Sequence, residues 1–359
     1  MLNPLSMVAS LTQVDLDTSP VRTHALVVGP PEAPPLLLIH GNVSSSTFFQ
    51  DLMLRLGSQF RVVAPDLRGF GSSASAPVDG SLGVQEFAQD LQTVLDSGLL
   101  GIGRPVHLLG WSMGAGVAIQ YLISHPERVA SLILESPMSP YGFGGTRDAQ
   151  GTPCWPDFAG SGGGAANPEL VRRLAAGDRG DDSELAPRRI LRSMYLNPQN
   201  QLPAEWEEAL LSSMLATVIG EDNYPGESVP SGNWPFVAPG HRGVLNALSP
   251  KYCNLSALGN LSPGPDILWI RGSEDQIVSD TSLSDIGYLG QLGAVPGWPG
   301  VEIFPPQPMV AQTRAVLERY RESGAVVEER VLAGCGHSPH LERPKEFAEM
   351  LREFLLERV

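Results

Sequence analysis

The chain has 359 residues, enough to bury a substantial core and, by length alone, to form about two domains. Its apolar content of 42% and charged content of 18% are those of a soluble globular protein, and a net charge of -15 argues against a nucleic-acid backbone or an anionic membrane as partner. Cys154, Cys253 and Cys335 are too far apart for a disulfide framework or a zinc-site spacing. Met1 to Ser10 lacks the basic start and apolar stretch of a signal peptide, and no run approaches the ~20 apolar residues of a membrane span. A reducing cytoplasm is the expected location.

Val8 to Asp15 and Arg22 to Val28 alternate or run apolar, and Gly29-Pro30-Pro31 closes the second, which predicts two strands joined by a turn. Leu36-Leu37-Leu38-Ile39 is a continuous apolar run suited to a strand buried on both faces, and it ends in His40-Gly41-Asn42-Val43. Phe48 to Leu56 has helical spacing. Arg61 to Asp66 is the next strand, followed by the glycine-rich turn Leu67-Arg68-Gly69-Phe70-Gly71-Ser72. Val84 to Leu95 reads as an amphipathic helix, Val106 to Leu109 as a short strand and Met113 to Ser124 as a helix of small and apolar residues. Val129 to Glu135 is another buried strand. Strands alternating with helices indicate a parallel sheet covered on both faces.

The rhythm breaks from about Pro137 to Pro265, a stretch rich in glycine and proline that includes Gly160-Ser161-Gly162-Gly163-Gly164. Pro168 to Ala175, Ala186 to Tyr195 and Ala204 to Val218 are predicted helices within it, so the stretch is an insertion into the sheet domain. Strand resumes at Asp266 to Gly272, and a second irregular stretch covers Ser279 to Pro308. A helix (Met309 to Glu322), a last strand (Ala325 to Leu332) and an amphipathic helix (Pro344 to Glu357) follow.

Gly110-Trp111-Ser112-Met113-Gly114 lies between a predicted strand and a predicted helix. Such a Gly-x-Ser-x-Gly turn holds a serine hydroxyl out of the sheet edge, and a β-carbon two residues either side of Ser112 would crowd the neighbouring backbone. An unactivated hydroxyl is a poor nucleophile, so it requires an oriented base and donors for the developing oxyanion. His337 is the candidate base, in Gly334-Cys335-Gly336-His337 between the last strand and the last helix. Asp275 is the candidate acid, in Gly272-Ser273-Glu274-Asp275 at the end of a strand.

With these loops after these strands, in the order Ser, Asp, His, the chain resembles the α/β-hydrolase family over about residues 8 to 136 and 266 to 359. The resemblance implies an α/β sandwich with a mostly parallel eight-stranded sheet. It divides the chain into a core domain (1–136 and 266–359) and an inserted, mainly helical cap (137–265). It also implies Ser112 as nucleophile, His337 as base and Asp275 as acid, with the N–H groups of Asn42 and Met113 as oxyanion hole. Glu274 and Glu135 are rival acids; Glu135 occupies the position from which some members supply it. His40, Asp66 and Gly69-Phe70-Gly71 match family loops read as structural. Cys335 is expected to be a small packed residue. His340 is expected to be structural or pocket-lining, since nothing completes a metal pair with His337.

A serine at the turn, where dehalogenases and epoxide hydrolases of this fold carry a carboxylate, points to acyl chemistry. The expectation is hydrolysis of a carboxylic ester or lactone through an acyl-enzyme, with a small-molecule acyl substrate and no cofactor. Trp111, Trp155, Trp234 and Phe236 are candidates to line the substrate cleft, the competing reading being that cap aromatics form the cap's own core. An aminopeptidase of the proline-iminopeptidase kind would share the triad and use a cap acid such as Glu205, Glu207, Glu208, Glu221 or Asp222 to hold a free amine. A carbon–carbon bond hydrolase and an acyltransferase are compatible with the same residues. A non-catalytic binding protein or receptor of this fold would be expected to lose the triad, whereas this chain keeps every member.

Overall fold

A computed structural model describes residues 11–262 and 264–358. Eight strands form one sheet: β1 (Thr12–Leu16), β2 (Thr23–Val28), β3 (Pro35–Ile39), β4 (Arg61–Pro65), β5 (Val106–Trp111), β6 (Val129–Glu135), β7 (Asp266–Gly272) and β8 (Val327–Leu332). Their order is β1-β2-β4-β3-β5-β6-β7-β8. β2 runs antiparallel to both neighbours, and the remaining pairings are parallel. The expected start of the first strand at Val8 lies outside the described residues.

Side-chain pattern explains strand position. β3 and β5 are buried at every residue and lie at the centre, whereas the edge strands β1 and β8 keep exposed positions. Helices α1 (Gln50–Leu56), α2 (Gln85–Asp96) and α3 (Met113–Ser124) alternate with the early strands. α4 (Pro168–Ala175) and α5 (Ala204–Leu215) fall between β6 and β7, and α6 (Ile286–Gln291) and α7 (Met309–Glu322) between β7 and β8. α8 (Pro344–Leu356) packs back on α1, and α2 packs on α3. α2 shows why: Phe87, Ala88, Leu91, Val94 and Leu95 fall on one buried face.

Between β6 and β7 the chain leaves the sheet. Helix is the commonest regular structure there, but loop outweighs it. α5 stops at Leu215, short of the predicted Val218, and Ala186 to Tyr195 divides into a helical turn (Pro187–Ile190) and a π-turn (Leu191–Tyr195). Gly142, Gly144, Gly145, Gly151, Gly160 and Gly162 all take positive φ, a conformation that right-handed helix cannot use.

The second irregular stretch is more ordered than its sequence suggests. Asp285 caps α6, its carboxylate accepting the N–H groups of Tyr288 (3.1 Å) and Gln307 (3.0 Å). This stretch packs against the first. Trp234 and Phe304 meet edge to face with centroids 4.9 Å apart, and the Trp234 indole donates to the Pro296 carbonyl at 2.9 Å. The Gln307 amide donates to the Gly142 carbonyl (3.0 Å) and accepts from the Gly144 N–H (2.6 Å). The three cysteines are free and buried, and among the described residues no helix is long and apolar enough to cross a membrane.

One buried titratable group ties this sheet to pH. His107 on β5 lies 2.8 Å from the Ser131 hydroxyl of β6. Burial, with a smaller contribution from the Arg358 charge, pushes its pKa down from 6.5 to about 4. The unfolded chain therefore takes up this proton first as pH falls. Stability is complete above 6.5 and declines towards pH 4, by at most about 3 kcal/mol. Urea denaturation of His107→Gln between pH 7 and 4.5 should show a flatter pH dependence than the unsubstituted protein.

Candidate active site

β5 ends at Trp111 and α3 begins at Met113, so Ser112 alone makes the turn, at φ 57° and ψ -119°. That backbone is strained for a residue with a side chain, and the surroundings hold it there. The Ser112 N–H donates to the Glu135 carbonyl (2.9 Å), while the Ser112 carbonyl accepts from Ala115 (3.1 Å) and Met138 (3.2 Å). A β-carbon on Gly110 would lie 2.4 Å from the Ala115 Cα, and one on Gly114 would lie 2.2 Å from the Ile39 carbonyl oxygen. Both glycines are required by close approach.

His337 and Asp275 are brought together from loops after β8 and β7. His337 Nδ1 lies 2.9 Å from Asp275 Oδ2, with both side chains buried. The other carboxylate oxygen accepts the N–H groups of Ile277 (2.8 Å) and Val278 (2.9 Å), which fixes its orientation. An acceptor at Nδ1 keeps the proton there and leaves Nε2 free to accept one. Ser112 and His337 line one cavity of about 1160 Å³. No hydrogen bond joins the Ser112 hydroxyl to His337 among the described residues.

Asn42 and Met113 line the same cavity beside Ser112. Neither backbone N–H is committed to another hydrogen bond among the described residues. The loop that carries Asn42 is braced from below by His40, which donates from Nδ1 to the Gly41 carbonyl (2.8 Å) and accepts the Leu67 N–H at Nε2 (2.9 Å). Burial lowers the pKa of His40, keeping it neutral for both roles. Asp66 is equally structural, its two oxygens accepting the N–H groups of Ser46 and Ser72 at 2.8 Å each.

The rival acids lie elsewhere. Glu135 Oε1 accepts the backbone N–H of His340 (3.0 Å) and stands 2.7 Å from its Nδ1, so this carboxylate serves a second, fully buried histidine. Glu274 is exposed at the cavity rim. His340 does not line the cavity; its ring packs against Phe49 and Trp111, with centroids 5.0 and 5.2 Å away. Cys335 is fully buried and burial pushes its thiol up to about 12, which leaves no thiolate at neutral pH.

None of the four aromatic candidates lines the cavity. Trp111 is wholly buried beneath the turn, where its indole N–H donates to the His337 carbonyl at 2.9 Å. Trp155 and Trp234 join Cys154 and Phe304 in a separate small core. Phe236 is 61% exposed and outside the cavity. The walls are instead aliphatic and thioether side chains, among them Met138, Met194, Met214, Ile286 and Leu289, together with Phe143. The cap acids considered for holding an amine also stay outside: Glu207 pairs with Arg188 and Arg192, Glu208 with Arg179 and Arg188, and Glu221 and Asp222 with Arg242.

Two contacts lay beyond sequence reasoning. The Tyr195 hydroxyl, at the end of the π-turn, donates to the Asn42 carbonyl at 2.7 Å. Glu342 then joins the same cap segment to the histidine loop, accepting the N–H of Gly336 (2.7 Å), the N–H of Asn197 (2.9 Å) and the Asn200 side-chain amide (2.6 Å). Both partners are distant in sequence, and no local pattern marks them.

The Glu135–His340 pair carries a stability expectation. Glu135→Ala leaves a buried imidazole N–H and a buried backbone N–H without acceptors, and should cost about 3 kcal/mol in urea denaturation. Glu135→Gln, which keeps one acceptor oxygen, should cost less.

A family model described as the alpha/beta hydrolase family matches residues 36–350. Carboxylesterase YbfK of Bacillus subtilis (strain 168) is 34% identical over 116 residues, which are 32% of this chain and 38% of that protein. The pimeloyl-[acyl-carrier protein] methyl ester esterase of Aeromonas hydrophila is 38% identical over 103 residues, 28% of this chain and 37% of that protein. The match thus spans well under half the length of these curated relatives. Among solved structures, a putative aryl esterase from Burkholderia cenocepacia has a TM-score of 0.58 at 19% identity, with 97% of this chain and 98% of that chain covered. Carboxylesterase CesB (YbfK) from Bacillus subtilis has a TM-score of 0.59 at 18% identity, with 99% and 95% covered. These likenesses concern the fold. With its sheet order, its serine turn and a family match over most of its length, the chain belongs to the alpha/beta hydrolase family.

Proposed function

We propose that this protein is a serine hydrolase that cleaves a carboxylic ester or lactone through an acyl-enzyme. The observation that carries the reading is the strained Ser112 turn facing a cavity shared with His337, whose Nδ1 is bound to Asp275 at 2.9 Å. Ser112 attacks the substrate carbonyl as His337 Nε2 takes the hydroxyl proton. The oxyanion accepts the N–H groups of Asn42 and Met113. His337 then protonates the leaving alcohol, which departs to give the acyl-enzyme. Water enters, His337 removes its proton, and as the second tetrahedral intermediate collapses His337 returns that proton to the Ser112 oxygen and the acid is released. Asp275 holds the imidazole tautomer and stabilises the imidazolium throughout. Residues 137–265, together with 279–308, act as a cap over this chemistry. The esterase names of partly matching relatives support the bond type. The partner in this reading is a small acyl substrate, with no nucleic acid and no membrane involved. The free, buried cysteines are consistent with a reducing cytoplasm.

Ser112→Ala should lower kcat on a p-nitrophenyl ester by at least about 10³ with thermal stability retained. A fluorophosphonate should label the unsubstituted protein and not this variant. Ester hydrolysis unchanged by the substitution would overturn the proposal. Asp275→Asn should cost on the order of 10³ to 10⁴ in kcat by releasing the wrong tautomer. Tyr195→Phe removes one neutral hydrogen bond to the oxyanion loop and should lower kcat about fivefold with little change in KM, read from steady-state kinetics.

A further inference from the structure

The cavity of about 1160 Å³ exceeds the roughly 300–1000 Å³ of typical small-molecule sites. Its buried or half-buried wall includes Met113, Met138, Phe143, Met194, Met214 and Leu248, drawn from the sheet domain and the insertion alike, with polar Asn197 and Gln276 among them. The methionines are unbranched side chains that adjust to ligands of different shape. The charged lining side chains are two exposed carboxylates, Glu184 in the insertion and Glu274 in the loop after β7.

Among the described residues no lysine or arginine lines this space. Arg188 and Arg192 are engaged by Glu207 and Arg173 by Glu169, Asp178 and Asp182, while Arg189 pairs with Glu184 and offsets its charge. A carboxylate drawn past the rim would be stripped of water against thioethers and aliphatic carbons, with no lining cation to receive it and the Glu274 carboxylate in the wall. A methylene chain on the same path gains burial at every step.

We infer that the site selects esters whose acyl group is long or bulky, apolar and uncharged, and that it discriminates against acyl groups ending in a carboxylate. This rests on the ester-hydrolase reading above. It concerns which acyl group enters, so the two can fail separately.

The test compares three p-nitrophenyl esters on the unsubstituted protein at pH 8: acetate, decanoate and the half-ester of decanedioate, which has the same chain length with a terminal carboxylate. The expected kcat/KM for decanoate exceeds that for the charged half-ester by at least about 100-fold, and exceeds that for acetate by at least about tenfold. Equal kcat/KM for the two ten-carbon esters, or acetate as the preferred substrate, would overturn the inference. A second measurement does not depend on turnover. Methyl decanoate should raise the melting temperature of Ser112→Ala protein, and monomethyl decanedioate at the same concentration should not. Loss of all ester turnover with this binding preference intact would reject the ester reading and uphold the selectivity of the cavity.

Discussion

Everything around the serine turn depends on one residue that takes no part in the proposed chemistry. Glu135 ends β6, and its carbonyl accepts the Ser112 N–H while its carboxylate accepts two N–H groups of His340. The backbone of one residue thus holds the strained turn, and its side chain holds the start of the segment that follows His337. Trp111 lies between these anchors, against both histidine rings, and donates to the His337 carbonyl. A strained φ at Ser112 persists because the structure around it is over-determined, and this is where the determination comes from.

The division of labour follows from sheet geometry. Parallel strands bring Ser112, Asp275 and His337 to one edge because each lies just after the C-terminal end of β5, β7 or β8. The sheet supplies no enclosure there. Enclosure comes from two separate insertions, and their shared contacts (Trp234 with Phe304, Gln307 with Gly142 and Gly144) make them one roof. The chemistry is therefore set by short-range turns and the selectivity by long-range packing.

That split also decides what a reader of the sequence can see. Gly110 and Gly114 are legible because the crowding they relieve arises within five residues. His337 and Asp275 are legible because each follows a recognisable strand. The loop motif favours Asp275 over Glu135 as the partner of His337, but what Glu135 does instead is not legible, since only tertiary packing brings it to His340. The aromatic candidates failed for a related reason. A tryptophan is too large to announce which side of a loop it will face, and two of the candidate indoles, Trp111 and Trp234, found closed niches where each satisfies its N–H against a carbonyl. The true wall residues, such as Met194 and Leu289, have no feature that separates them from ordinary core.

The segment from Tyr195 to Asn200 has a consequence for how the molecule can breathe. It is fastened to the oxyanion loop by Tyr195 and to the histidine loop by Asn197 and Asn200 through Glu342. A displacement of this segment would pull at once on the loop that carries Asn42 and on the loop that carries His337. The piece of chain that walls one side of the cavity is thus also a strut for the two loops that flank Ser112.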